Sequence, residues 1–136
     1  MNLKATLRYT LGEDIANSLT HGLAAAAAIV GLVFLLIRTV PTGDVWRIIS
    51  GGVYGGSLIF LFLMSTLYHA FPWPKVKHVF RLLDHSAIFL LIAGSYTPFL
   101  LVGTHSAYGW ILFAVIWSLA LGGILFEFFS STKSNG

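Results

Sequence analysis

The chain has 136 residues, of which 57% are hydrophobic, 10% are charged and none is cysteine; its formal charge is +3 and its mean hydropathy is +0.84. Soluble domains carry about 25% charged residues and short chains bury only part of their surface, so the composition points to a membrane protein rather than a soluble globule. Without cysteine there is no disulfide stapling, thiolate nucleophile or cysteine-ligated metal, and no basic stripe interleaved with aromatics suggests nucleic acid.

Four apolar runs follow one another. The first, Ile15 to Ile37, has a polar start in Asn17, Ser18, Thr20 and His21 and is fully apolar from Gly22 onward. A secretory signal peptide competes with a span here, but its apolar region would be about 7 to 15 residues long, directly behind a basic segment. Glu13 and Asp14 intervene instead, and the Ala24 to Ala28 run continues into GLVFLLI. The second run, Val45 to His69, carries Arg47 near its start and Gly51, Gly52, Gly55 and Gly56. Small residues of this kind let membrane helices approach closely.

The third run, Val79 to Val102, contains Pro98, which is expected to kink or finish it. The fourth, Tyr108 to Phe129, opens with Trp110 and carries Trp117. Each run is near the ~20 residues that cross a hydrocarbon core. The expected fold is an all-α polytopic transmembrane helix bundle: one membrane domain over 1–136, with helices over roughly 15–38, 46–70, 79–102 and 108–129. RTVPTGD, PWPKVKH and GTHS read as the connections, punctuated by Pro41, Gly43, Pro72 and Pro74, and SSTKSNG reads as a frayed tail.

Basic residues in short loops orient such a bundle. With alternating spans, Lys4, Arg8, Lys75, Lys77, Arg81 and Lys133 fall on one side, and Arg38 and Arg47 on the other. This predicts a multi-pass protein of the cell membrane with its N-terminus in the cytoplasm. The same arrangement carries His21, Ser65, His69, Asp84 and His85 toward the cytoplasmic leaflet.

Ionisable groups inside spans are costly and mark functional sites. Ser65 and His69 are four apart and share a helix face; Asp84 and His21 each stand about one turn inside a span. An imidazole and a carboxylate at one membrane surface could form half of a zinc site, with the aspartate coordinating or orienting a metal-bound water. Such a water hydrolyses amides and esters. The competing reading is structural: His69 hydrogen-bonds a neighbouring helix, and Asp84 pairs with Arg81 or with helix-end N–H groups.

His85 points roughly 100° from Asp84 on an ideal helix. His21 is open to three roles: ligand, donor to a ligand, or packing residue. His78 and His105 read as solvated loop residues and Glu127 as interfacial, while Tyr68, Tyr96, Trp73 and Trp110 suit the headgroup level. A Ser65–His69–Asp84 triad lacks an evident oxyanion hole or strained nucleophile turn.

GEDIANSLTHG (Gly12 to Gly22), MSTLYHAF (Met64 to Phe71), RLLDHSAIFLLIAGSYTPF (Arg81 to Phe99) and Gly109–Trp110 together resemble the haemolysin III family, bacterial relatives of the progestin and adipoQ receptors. The resemblance implies a seven-helix membrane fold with a cytoplasmic N-terminus and zinc near the cytoplasmic face. It implies His69 as a metal ligand, Ser65 as the site serine, and Asp84 associated with the metal through water. Metal-dependent hydrolysis of lipid amides, membrane lysis and membrane-lipid homeostasis are the activities it suggests, with the lipid bilayer and a lipid substrate as partners.

The remaining ligands expected from such a family lie in an H-x-x-x-H on a seventh helix, beyond the four spans. The chain is therefore expected to be truncated before the last three helices, or to rely on a partner or homo-oligomer, and not to hold zinc stably alone. Two further readings stay open: a membrane-lytic or pore-forming protein, and a non-catalytic four-span structural or sensory protein.

Overall fold

The computed structural model describes residues 9–134. Helix α1 runs over Leu11–Thr39. Thr10 starts it with a reciprocal cap: its hydroxyl accepts from the Glu13 N–H at 3.2 Å, and the Glu13 carboxylate accepts from the Thr10 N–H at 3.1 Å. Two orphan donors of the first turn are satisfied in this way. A short 3-10 turn, Val40–Thr42, follows, and Gly43 reverses the chain at φ 68°, a left-handed position open to glycine at little steric cost.

Asp44 caps α2, Val45–Ala70, by accepting from the N–H groups of Trp46 and Arg47 at 3.1 and 3.3 Å. Helix α3 runs over Pro74–Pro98 and continues into a wider i→i+5 turn over Phe99–Thr104, which His105 closes at φ 31°. Helix α4 is Ala107–Ser134. Four helices are thus long and apolar enough to cross a membrane: Leu11–Thr42, Val45–Ala70, Pro74–Thr104 and Ala107–Thr132. The protein is an all-α polytopic membrane bundle.

The third helix departs from the sequence reading at its start. PKVKH is helix rather than loop, because Pro74 suits a first helical turn, where its missing N–H is not needed, and the Lys77 N–H already bonds the Trp73 carbonyl at 2.8 Å. His78 consequently lies on a helix and meets the Ser131 hydroxyl at 2.9 Å. His105 is not simply solvated either: its Nδ1 donates to the Leu101 carbonyl at 2.7 Å, and its ring packs beside Trp46.

The helices pack in chain order, each against its predecessor. On α1 the contact face steps by fours and threes through Asp14, Ser18, His21, Ala25, Leu32 and Leu35, the spacing of a left-handed helix pair. Opposite it, α2 offers His69, Thr66, Ser65, Phe62, Gly55 and Gly51. A β-carbon at Gly55 would stand 2.5 Å from Leu32, and one at Gly51 2.8 Å from Leu35, so these two glycines set how closely the helices approach.

Gly94 of α3 does the same against Ser57 of α2, and Gly123 of α4 lies under the Phe89 ring. Thr97, almost wholly buried, ties α3 to α4 by accepting from Trp117 Nε1 at 3.1 Å while its own hydroxyl donates to the Ala93 carbonyl. The packing leaves the starts of α1 and α3 and the ends of α2 and α4 at one end of the bundle.

Candidate functional site

That end gathers the polar side chains singled out in the sequence. His69, in the last turn of α2, is buried, with 5% of its side chain exposed, and its Nδ1 lies 2.8 Å from Asp14 Oδ1. A carboxylate can only accept, so the hydrogen sits on Nδ1 and the tautomer is fixed by the partner. The other carboxylate oxygen of Asp14 lies 3.3 Å from Lys77 Nζ. Lys77 also donates to the carbonyls of Tyr68 at 2.7 Å and Phe71 at 3.4 Å, and its ammonium sits 5.0 Å from the Tyr68 ring centre. Asp14 thereby draws one residue from each of α1, α2 and α3 into a paired network, the arrangement a buried charge requires.

Ser65 and His21 form the next layer. His21 Nδ1 and Ser65 Oγ are 2.5 Å apart, and Ser18 Oγ donates to the Thr66 carbonyl at 3.4 Å. The rings of His21 and His69 stand edge to face with centres 6.0 Å apart, so one helix face of α1 engages both members of the Ser65–His69 pair. Tyr68 is buried beside His69, beneath Lys77 and against Tyr9.

Asp84 stands seven residues beyond Lys77 on α3, two turns farther along the same face. It is half-buried, within electrostatic range of His85, His69 and His21. No hydrogen bond or ion pair within 4 Å joins it to a described residue, and Arg81 is not its partner. His85 turns toward α4, where its Nδ1 is 3.9 Å from the Glu127 carboxylate.

An apolar cavity of about 580 Å³ opens beside the network, between the start of α1 and the α2–α3 corner, with Asp14, His69 and Lys77 at its polar side and Leu11, Ile15 and Leu19 among its walls. Among the described residues, no three of His, Cys, Asp and Glu gather closely enough to hold a metal ion. Zinc generally takes three or four protein ligands, and the four helices do not present that set by themselves.

Asp14 and Lys77 were not legible as site residues. Asp14 entered the sequence reading only as a charge against a signal peptide, and Lys77 only as a loop cation. The one available signal was the heptad spacing of Asp14, Ser18, His21 and Ala25, which marks a single buried face.

The Haemolysin-III related family matches residues 9–135. The chain is 49% identical over 117 residues to Hemolysin-3 of Bacillus cereus, covering 86% of this chain and 53% of that protein. It is 46% identical over 121 residues to the Hemolysin-3 homolog of Bacillus subtilis, covering 89% and 57%. The human Monocyte to macrophage differentiation factor is 34% identical over 129 residues, covering 91% and 53%. The chain thus spans about half the length of the curated relatives it matches, and no solved structure matches it. With a family match over almost its whole length and a four-span bundle to accommodate it, the chain belongs to the haemolysin-III family.

Proposed function

We propose that the chain is a membrane-lipid-handling module of the inner leaflet, contributing His69, Ser65 and Asp84 to a hydrolytic zinc centre whose other ligands come from outside these four helices. The substrate class is a lipid amide. The observation that supports this reading is the convergence of His21, Ser65, His69 and Asp84 at one end of the bundle, where His69 lines an apolar cavity large enough for part of an acyl chain. His69 has its Nδ1 committed to Asp14, which aligns the ring and leaves Nε2 as the nitrogen able to serve a further partner.

The donors present among the described residues do not complete a metal site. The test is zinc content and cleavage of an N-acyl lipid by these four helices joined to the second half of a full-length relative and purified in detergent, compared with the same protein carrying His69→Ala, Asp84→Asn or Ser65→Ala. Zinc and cleavage both falling with His69→Ala support the reading; wild type and His69→Ala with equal zinc and no cleavage overturn it.

A second, non-catalytic reading is favoured by the Asp14–His69–Lys77 network itself, which already gives His69 a helix-pairing role. Under that reading His69→Ala loosens the bundle without altering metal content. Lysis, the activity in the name Hemolysin-3, has less support, since the ionisable side chains lie toward the span ends instead of forming a stripe along an aqueous pore. Dye release from liposomes by the purified chain measures it directly.

A further inference from the structure

A second polar cavity, of about 220 Å³, lies at the same end of the bundle between the first turns of α3 and the last turns of α4. It is lined by His78, Arg81, His85, Glu127, Ser130 and Ser131, and shares no residue with the cavity beside His69. We propose that it binds a phosphate group presented at the membrane surface.

The lining favours an anion. Arg81 supplies a planar fork of N–H donors, the geometry that suits phosphate, and it has no carboxylate within 4 Å among the described residues. The Ser130 hydroxyl adds a donor from α4, and the Ser131 hydroxyl beside it is held 2.9 Å from His78 Nε2. Glu127 is the single acidic group of the lining, and it faces His85 at 3.9 Å. A bare cation is disfavoured, because among the described residues no three of His, Asp and Glu stand closely enough to hold a metal ion.

The surroundings suit a phosphate attached to a lipid. The cavity is too small for acyl chains, but Phe126 and Phe129 on α4 are each 68% exposed beside it, offering apolar surface to chains running into the bilayer. Its level, near the ends of two spans, is where headgroups lie.

Native mass spectrometry of the purified chain in neutral detergent tests the proposal with three probes: phosphatidylglycerol, a diacylglycerol with the same chains, and inorganic phosphate. Phosphatidylglycerol is retained and diacylglycerol is not. Arg81→Gln weakens retention about tenfold, the scale of one lost charge-assisted fork contact, Arg81→Lys weakens it less, and Arg47→Gln at the opposite end leaves it unchanged. Inorganic phosphate bound by wild type but not by Arg81→Gln, with no phosphatidylglycerol retained, keeps the site and assigns a soluble phosphate. Equal retention of the two lipids with no phosphate bound, or equal effects of Arg81→Gln and Arg47→Gln, overturns it.

Discussion

Asp14 and His69 are 55 positions apart in the chain and meet at 2.8 Å, the carboxylate of the first helix holding the imidazole of the second. Lys77 closes the arrangement from the third helix. Removing one member of a buried ion pair leaves its partner charged and unpaired, at a cost of about 3–5 kcal/mol. Asp14→Leu and Lys77→Met should each destabilise the bundle on that scale, and the double variant should cost clearly less than their sum. Denaturant unfolding in detergent measures both; strictly additive losses would show that the two groups do not act as a pair.

The same carboxylate also determines where the His69 proton resides. Asp14→Leu should shift the ring away from the Nδ1–H tautomer, read from the nitrogen chemical shifts of labelled histidine, while Lys77→Met should leave the tautomer in place. An unchanged spectrum in Asp14→Leu would detach Asp14 from the orientation of His69.

Two glycines of similar sequence context should behave oppositely. A β-carbon at Gly94 would stand 2.6 Å from the Ser57 hydroxyl and 3.4 Å from the Val53 carbonyl, whereas at Gly56 nothing lies within 4 Å. Gly94→Ala should cost about 1–3 kcal/mol through overpacking. Gly56→Ala should be neutral or stabilise by up to about 1 kcal/mol through helix propensity. Thermal unfolding of the two variants side by side is the check, and equal midpoints would contradict the packing assigned to Gly94.

Ser86 is buried, and its hydroxyl is the one buried side-chain polar atom without a hydrogen-bond partner among the described residues. An unsatisfied buried group costs about 1–3 kcal/mol, so Ser86→Ala should raise stability by roughly 1 kcal/mol. A loss of stability would point to a partner for that hydroxyl.

Orientation can be read chemically because these 136 residues contain no cysteine. We expect the Lys75 end to face the cytoplasm: even without the paired Lys77, it holds Lys4, Arg8, Arg81 and Lys133, against Arg38 and Arg47 opposite. Lys4 and Arg8 lie outside the described residues. In intact cells, an impermeant maleimide should label Thr42→Cys, and should reach Lys75→Cys only after permeabilisation. The reverse pattern would invert the topology, and labelling of both from one side would break the four-span arrangement.

The spans were legible because twenty-odd apolar residues in a row have few other uses, and the turns because Gly43, Pro72 and Pro74 punctuate them. The start of α3 was not legible: the charges of PKVKH read as solvent-facing until Lys77 is seen turned inward onto Asp14. His21 and Ser65 could be placed at the same membrane surface by counting spans. Their direct contact depends on the rotation of α1 against α2, which the small residues Gly51 and Gly55 set and hydropathy does not report. Asp84 was found by its cost in a span, yet its electrostatic neighbours lie mostly on other helices and have no local signature.

The chain-order packing has a bearing on biogenesis. Each span finds its principal contact surface on the one synthesised just before it, so a nascent chain can assemble by successive docking, without waiting for a distant segment. One link that breaks this sequence is Asp14, which receives Lys77 only after two more turnarounds of the chain. Until α3 arrives, the pair formed by α1 and α2 carries a carboxylate that lacks its cation, which makes arrival of the third helix the step that locks the first two.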